Sequence, residues 1–198
     1  MSYYQYEGAI IRETHDGLSR ITLSDNHLMH REVFCVGEIN TDMAISLISQ
    51  LRYLATENAD HPIIMYIDSP GGSVDAGLAL VDAMRSVKCP VYTVNVATAA
   101  SMAALVFMSG EHGHRLSFAH ATVMCHDPLI PGGVGGSALS IYDTSQRLMK
   151  KRETLAGIIS ECSGKTLDEV FAVTAKDTFF DAAEAIEWCI CDGIITDL

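Results

Sequence analysis

Three short stretches of this chain hold residue types that could carry out acyl transfer. Ser101 lies at the centre of the uncharged run VYTVNVATAASMAALVFMSG (91–110), His126 follows in VMCHDP, and the turn DSPGGS (68–73) carries Gly71 and Gly72. Attack on an acyl carbon needs a nucleophile, a base within hydrogen-bond reach and N–H donors where the oxyanion forms. A serine hydroxyl can be the nucleophile, and imidazole exchanges protons near neutral pH. Glycine, lacking Cβ, lets a substrate carbonyl come close to its N–H. Each residue also has a plainer reading. Serine at the start of a helix is commonly only a cap, a lone histidine among eight is no base by type alone, and S-P-G-G is first of all a tight turn. His112, His114 and His120 cluster in sequence, but no carboxylate or cysteine spacing completes a metal site, so no metal is expected.

The surrounding elements decide between these readings. The run 91–110 is long enough for a membrane span. Thr93, Asn95, Thr98, Ser101 and Ser109 interrupt it, however, and its first six residues are mostly β-branched or aromatic. It reads instead as a buried strand passing into a buried helix at 99–108. In the first turn of such a helix the N–H groups lack intrahelical partners, so an oxyanion beside Ser101 would meet donors and the positive dipole end.

A strand–helix unit recurs along the chain. EVFCV (32–36) is strand-like, Gly37 turns, and Asn40 or Thr41 caps a helix with Ala44, Leu47, Ile48, Leu51, Leu54 and Ala55 on its apolar face. IIMYI (63–67) leads through DSPGGS into a helix over 74–87 with Val74, Leu78, Val81 and Met84 on one side. Pro90 precedes the next strand, and a polar turn separates the Ser101 helix from a strand at 122–125. The starts at Val33, Ile63, Val91 and Ala121 lie 30, 28 and 30 residues apart, which predicts a coil of repeated units with parallel strands. The C-terminal ends of parallel strands share one edge, where crevices form. Ser101, His126 and the DSPGG turn are therefore expected to converge.

Downstream, the Gly/Pro-rich loop 129–137 leads into a helix at 137–162. Ile141, Leu148, Leu155, Ile158, Ile159 and Cys162 form its apolar stripe, opposite Arg147, Lys150, Lys151, Arg152 and Glu153. The stripe serves either as an oligomer contact or as packing for its own domain. Gly164 ends this helix, and capping boxes at Thr166/Glu169 and Asp181/Glu184 open two more. Residues 177–180 read as extended, and Asp192-Gly193 turns into strand-like Ile194 and Ile195. Residues 1–31, with Tyr3, Tyr4 and Tyr6 near the start, read as polar and irregular.

Composition sets outer bounds. No linker composition divides the 198 residues, which are read as one domain. With 25 acidic against 13 basic residues and a net charge of −12, a phosphate backbone is an unsuitable partner, so no nucleic acid is expected. Cys35, Cys89, Cys125, Cys162, Cys189 and Cys191 show no C-x-x-C spacing and read as buried thiols of a reducing compartment. MSYYQYEGAI lacks the pattern of a secretory signal, so the expected location is the cytoplasm, with no membrane association.

Four motifs in order, YIDSPGGSVDAGLAL, TAASMAALVFMSG, VMCHDPL and AKDTFFDAAEAIEWCICDGII, make the chain from about Val33 to Ile195 resemble the Clp-type serine peptidases. The resemblance implies Ser101 as nucleophile, His126 as general base, Asp177 as the acid orienting the imidazole, and the N–H groups of Gly72 and Met102 as oxyanion hole. It implies an α/β fold of the ClpP/crotonase type, a coil of ββα units with a protruding handle helix in the region 129–162. It implies further two stacked seven-membered rings, of this chain alone or shared with a paralogous subunit. Residues 1–20 would form an axial arm, and a hexameric Clp-type AAA+ ATPase would feed unfolded polypeptides to the chamber. ATP would be spent by that partner, so no cofactor is expected here.

The chain departs from the family pattern in three places. Ala97 and Ala103 stand where glycine is usual, the loop 129–137 is about two residues longer, and Ala175-Lys176 replaces an acid–arginine pair before Asp177. Lysine lacks the guanidinium fork and substitutes poorly for such a pair. Two other functions compatible with the sequence are an acyl-CoA hydratase or isomerase of the same fold, which needs no Ser/His/Asp set, and a non-catalytic ring subunit.

Overall fold

The computed structural model describes residues 9–15 and 17–196; Tyr3, Tyr4 and Tyr6 lie outside them. The chain runs β1 (Ala9–Thr14), β2 (Gly17–Thr22), α1 (Leu23–Met29), β3 (Glu32–Val36), α2 (Thr41–Glu57), β4 (Ile63–Ser69), α3 (Val74–Ser86), β5 (Val91–Ala100) and α4 (Met102–Met108). It continues β6 (Arg115–Ser117), β7 (Thr122–Cys125), α5 (Ala138–Ser163), α6 (Leu167–Thr174), β8 (Thr178–Phe180), α7 (Ala182–Glu187) and β9 (Gly193–Ile194). The fold is α/β: a parallel sheet in the order β3-β4-β5-β6-β9, with β7 pairing β5 in parallel and β8 pairing β7 antiparallel. This agrees with the expected ClpP-type fold.

Local chemistry explains most boundaries. Asn40, rather than Thr41, caps α2 by accepting from the Met43 N–H. Ala44, Leu47, Leu51 and Leu54 are the buried residues of the expected α2 face. The capping boxes at Thr166/Glu169 and Asp181/Glu184 both form, and Gly164 closes α5 in the left-handed conformation at φ 70. Arg31 ties the end of α2 to the next loop, donating to the carbonyls of Leu54, Asn58, His61 and Pro62. Core side chains such as Leu51, Met65, Leu80 and Phe107 are fully buried, and each contributes roughly 1.5–3 kcal/mol of transfer free energy.

Three readings need correction. Residues 9–29 are not irregular: β1 and β2 form an antiparallel hairpin with Ala9 opposite Thr22, followed by α1 capped by a Thr22/Asp25 box. The overlooked signals were the Asp16-Gly17 pair between alternating stretches and T-x-x-D. The strand from Val91 extends to Ala100, so the helix begins at Met102 rather than 99. The polar turn before β7 holds a further strand, β6, disguised by Arg115.

Of the expected α5 stripe, Leu155, Ile159 and Cys162 are buried and Ile141 is exposed. Ala156 is also buried, whereas Leu139, Tyr142 and Met149 in the N-terminal half are exposed. No helix among the described residues is long and apolar enough to cross a membrane.

Arg115 is almost completely buried. Its Nε donates to Asp192 Oδ2 at 2.9 Å, its Nη2 to Asp192 Oδ1 at 2.6 Å, and its Nη1 to the Cys162 carbonyl at 2.8 Å. Partial burial alone would raise the Asp192 pKa; hydrogen bonds from Arg115, its charge and the Gly113 N–H outweigh that and hold it below the ordinary carboxylate range. A carboxyl depressed on folding adds stability above its unfolded pKa, and that stability is lost as pH falls through the folded value. Asp192→Asn, which leaves the Arg115 charge buried without its partner, should cost about 3 kcal/mol in urea unfolding at neutral pH. The deficit should shrink as pH falls through the acid range.

Candidate active site

Strand register brings together residues far apart in sequence. β7 lies beside β5 with Ala100 opposite Met124, so the chain leaves β5 at Ser101 next to the end of β7. The Ser101 N–H donates to the Met124 carbonyl at 2.8 Å. On the other side β8 runs antiparallel, with Cys125 opposite Thr178. One more step puts His126 beside Asp177. On the far side of β5, Ser69 pairs with Ala99 after a register shift, which brings the turn at Gly71 against Ser101.

Ser101 Oγ lies 2.7 Å from His126 Nε2, and His126 Nδ1 lies 3.2 Å from Asp177 Oδ1. The His126 side chain is mostly buried, whereas that of Asp177 is 66% exposed. Ser101 occupies the N-cap position of α4 yet makes no side-chain cap hydrogen bond. The capping reading of this serine therefore fails: its hydroxyl points to the imidazole. Such a row allows a hydroxyl to give up its proton as it attacks an acyl carbon. Next to His126, burial pushes the Cys125 thiol up to about 12, so it stays protonated and is no competing nucleophile.

The backbone here is strained and crowded. Ser101 has φ 55 and ψ −121, in a region that side-chain-bearing residues rarely visit. Gly71 abuts it: a Cβ there would lie 2.6 Å from the Ala100 carbonyl oxygen and 2.8 Å from Ser101 Cβ. A Cβ on Gly72 (φ 148) would meet the Ile39 carbonyl oxygen at 2.3 Å. Only glycine fits at either position. The turn is held by Ile39 N–H to the Gly71 carbonyl and Ser73 N–H to the Ile39 carbonyl, both 2.8 Å, and among the described residues the Gly72 N–H has no acceptor. Met102 opens α4, where a helix offers its own N–H no acceptor.

Ser101, His126 and Gly72 line a cleft of about 670 Å³. Val74, Met124, Leu129, Ile130 and Leu148 form apolar walls, and Glu38, Arg147 and the Lys151–Asp75 ion pair (2.7 Å) sit among them. Sequence reasoning missed the Met124 carbonyl and both members of that pair; nothing in the sequence marks a carbonyl or an ion pair across 76 positions. Of the three histidines close in sequence, His114 stacks on Tyr92 at 3.8 Å between ring centroids.

A sequence model of the family described as Clp protease matches residues 16–197. The chain belongs to the Clp protease family. As a Clp protease it is a serine peptidase in class. Ala97 lies within β5, and Ala103 is fully buried in α4.

Strain of the kind seen at Ser101 costs about 1–3 kcal/mol. Replacing Ser101 by glycine should relieve it, whereas alanine should keep it. Both variants lose the hydroxyl, so Ser101→Gly should be more stable than Ser101→Ala by about 1 kcal/mol. Thermal or urea unfolding at one protein concentration measures the difference, and equal stabilities would mean the backbone there is relaxed.

Proposed function

We propose that this Clp protease is a serine endopeptidase that cleaves unfolded polypeptides. Ser101 is the nucleophile, His126 the general base and Asp177 the acid that orients the imidazole. The N–H groups of Gly72 and Met102 form the oxyanion hole. The observation that carries the reading is the continuous row from Ser101 Oγ through both His126 nitrogens to Asp177, opening on a cleft beside a Gly72 N–H that has no acceptor among the described residues. Neither a thioester isomerase nor a non-catalytic ring subunit needs that row.

In the first half-reaction His126 Nε2 takes the hydroxyl proton as Ser101 Oγ bonds to the substrate carbonyl carbon, and the oxyanion accepts from Gly72 and Met102. The imidazolium, held by Asp177, then protonates the leaving amine as the C–N bond breaks. Water repeats the sequence on the acyl-enzyme: His126 takes its proton, and Ser101 regains one on release of the carboxylate. Substrate binds as an added strand along residues 128–131. Pro128 and Pro131 carry no N–H, so Leu129 and Ile130 supply the donors.

The chain works within stacked seven-membered rings, with α5 as the handle between them. The exposed Leu139, Ile141, Tyr142 and Met149 support that role, since apolar residues on a projecting helix call for a covering surface. A hexameric Clp-type AAA+ ATPase unfolds and feeds substrate. The working compartment is the cytoplasm, in keeping with six free thiols.

Treatment with diisopropyl fluorophosphate should add one adduct by intact mass, on Ser101, absent in Ser101→Ala. His126→Ala should slow acylation at least 100-fold. An adduct that persists in Ser101→Ala would reassign the nucleophile. Light scattering on the same fractions should give a particle far larger than 21.5 kDa.

A further inference from the structure

Regular structure ends at Cys125 and resumes only at Ala138, so the base stands on the first residue of a loop. A general base works only if its ring is held within a fraction of an ångström of the productive position. The residue after it carries the fastening. The Asp127 N–H donates to the Thr174 carbonyl at 2.7 Å, Thr174 Oγ1 donates to Asp127 Oδ1 at 2.7 Å, and Arg152 Nε donates to Asp127 Oδ2 at 2.6 Å.

From this geometry we propose that Arg152 is a positioning residue for His126, acting through Asp127. The inference rests on the reading of His126 as the base. Arg152 is itself fixed, its guanidinium lying 4.1 Å from the centroid of the Phe171 ring on α6. Thr174, the last residue of α6, is buried, and the neighbouring Val173 carbonyl accepts from Thr178 Oγ1 at 2.7 Å. One helix end therefore anchors both the peptide that follows the base and the strand that follows Asp177.

The adjacent pair, Lys151–Asp75, shows why Arg152 is singled out. Lys151 and Asp75 side chains are 38% and 77% exposed, whereas those of Arg152 and Asp127 are 24% and 32%. Exposed pairs are screened by water and hold little; a half-buried carboxylate taking charged and neutral donors on separate oxygens holds its geometry.

The test is peptidase kinetics on the assembled protein with a short fluorogenic peptide. Arg152→Met should lower kcat roughly 10- to 30-fold with KM within about twofold, because a displaced base slows chemistry more than binding. Arg152→Lys, which keeps a charged donor, should recover to within about threefold of the parent. Asp127→Asn, which keeps the size and the bond from Thr174, should lose kcat in the same direction and serves alone if Arg152→Met fails to assemble. Parent-like kcat in Arg152→Met and Asp127→Asn overturns the proposal, as does Arg152→Lys no better than Arg152→Met. A KM effect without a kcat effect also overturns it, assigning the pair to the cleft wall. Full fluorophosphonate labelling of His126→Ala would instead remove the base itself, whatever the Arg152 variants do.

Discussion

The site depends on where β7 sits. This four-residue strand is held on one side by the second half of β5 and on the other by β8, and the two registers fix all three members of the row. Pairing of Ala100 with Met124 sets Ser101 against the end of β7; pairing of Cys125 with Thr178 carries Asp177 to His126. Because side chains alternate along a strand, a slip of one residue in either pairing would turn the imidazole to the wrong face. β5 makes this arrangement available by its length. Its first half pairs with β6 and its second half with β7, and the buried Asn95 joins them where they part, its Nδ2 donating to the Thr122 carbonyl at 3.0 Å.

A second constraint is the compression between the 68–73 turn and Ser101. Two chain segments approach so closely that Gly71 and Gly72 have no room for a methyl, while Ser101 takes a backbone conformation unsuited to its own Cβ. The hydrogen bond to the Met124 carbonyl and the buried α4 behind it hold that strain in place. The result is a hydroxyl that points out of the strand–helix junction rather than back onto the helix end. Strain here buys direction, and the surrounding core supplies the stability to keep it.

How much of this was legible in the sequence follows from the range of the interactions. α2, α3 and the two capping boxes are written in spacings of three and four residues, and all form as expected. The convergence of Ser101, His126 and the DSPGG turn followed from parallel strands sharing an edge; Asp177 did not, since only the antiparallel β7–β8 register brings it in. β6 was hidden because its first residue is an arginine, buried through a partner 77 positions away. The split of β5, the Asp127 fastening and the Lys151–Asp75 pair rest on contacts between distant segments, for which a single sequence holds no local mark. The β1–β2 hairpin was legible and overlooked, because the aromatic and polar residues before it drew the reading toward an unstructured arm.

The exposure of Asp177 separates orientation from electrostatic strength. His126 is largely enclosed, yet its carboxylate partner stands two-thirds exposed at 3.2 Å. In water a unit charge pair at about 4 Å gains only about 1 kcal/mol, several-fold less than when solvent is displaced. In the proposed mechanism the chain by itself therefore provides direction: the register and the Asp127 fastening aim the ring, and Asp177 fixes its tautomer. Stronger stabilisation of the imidazolium requires that water be removed from Asp177 by something beyond these residues.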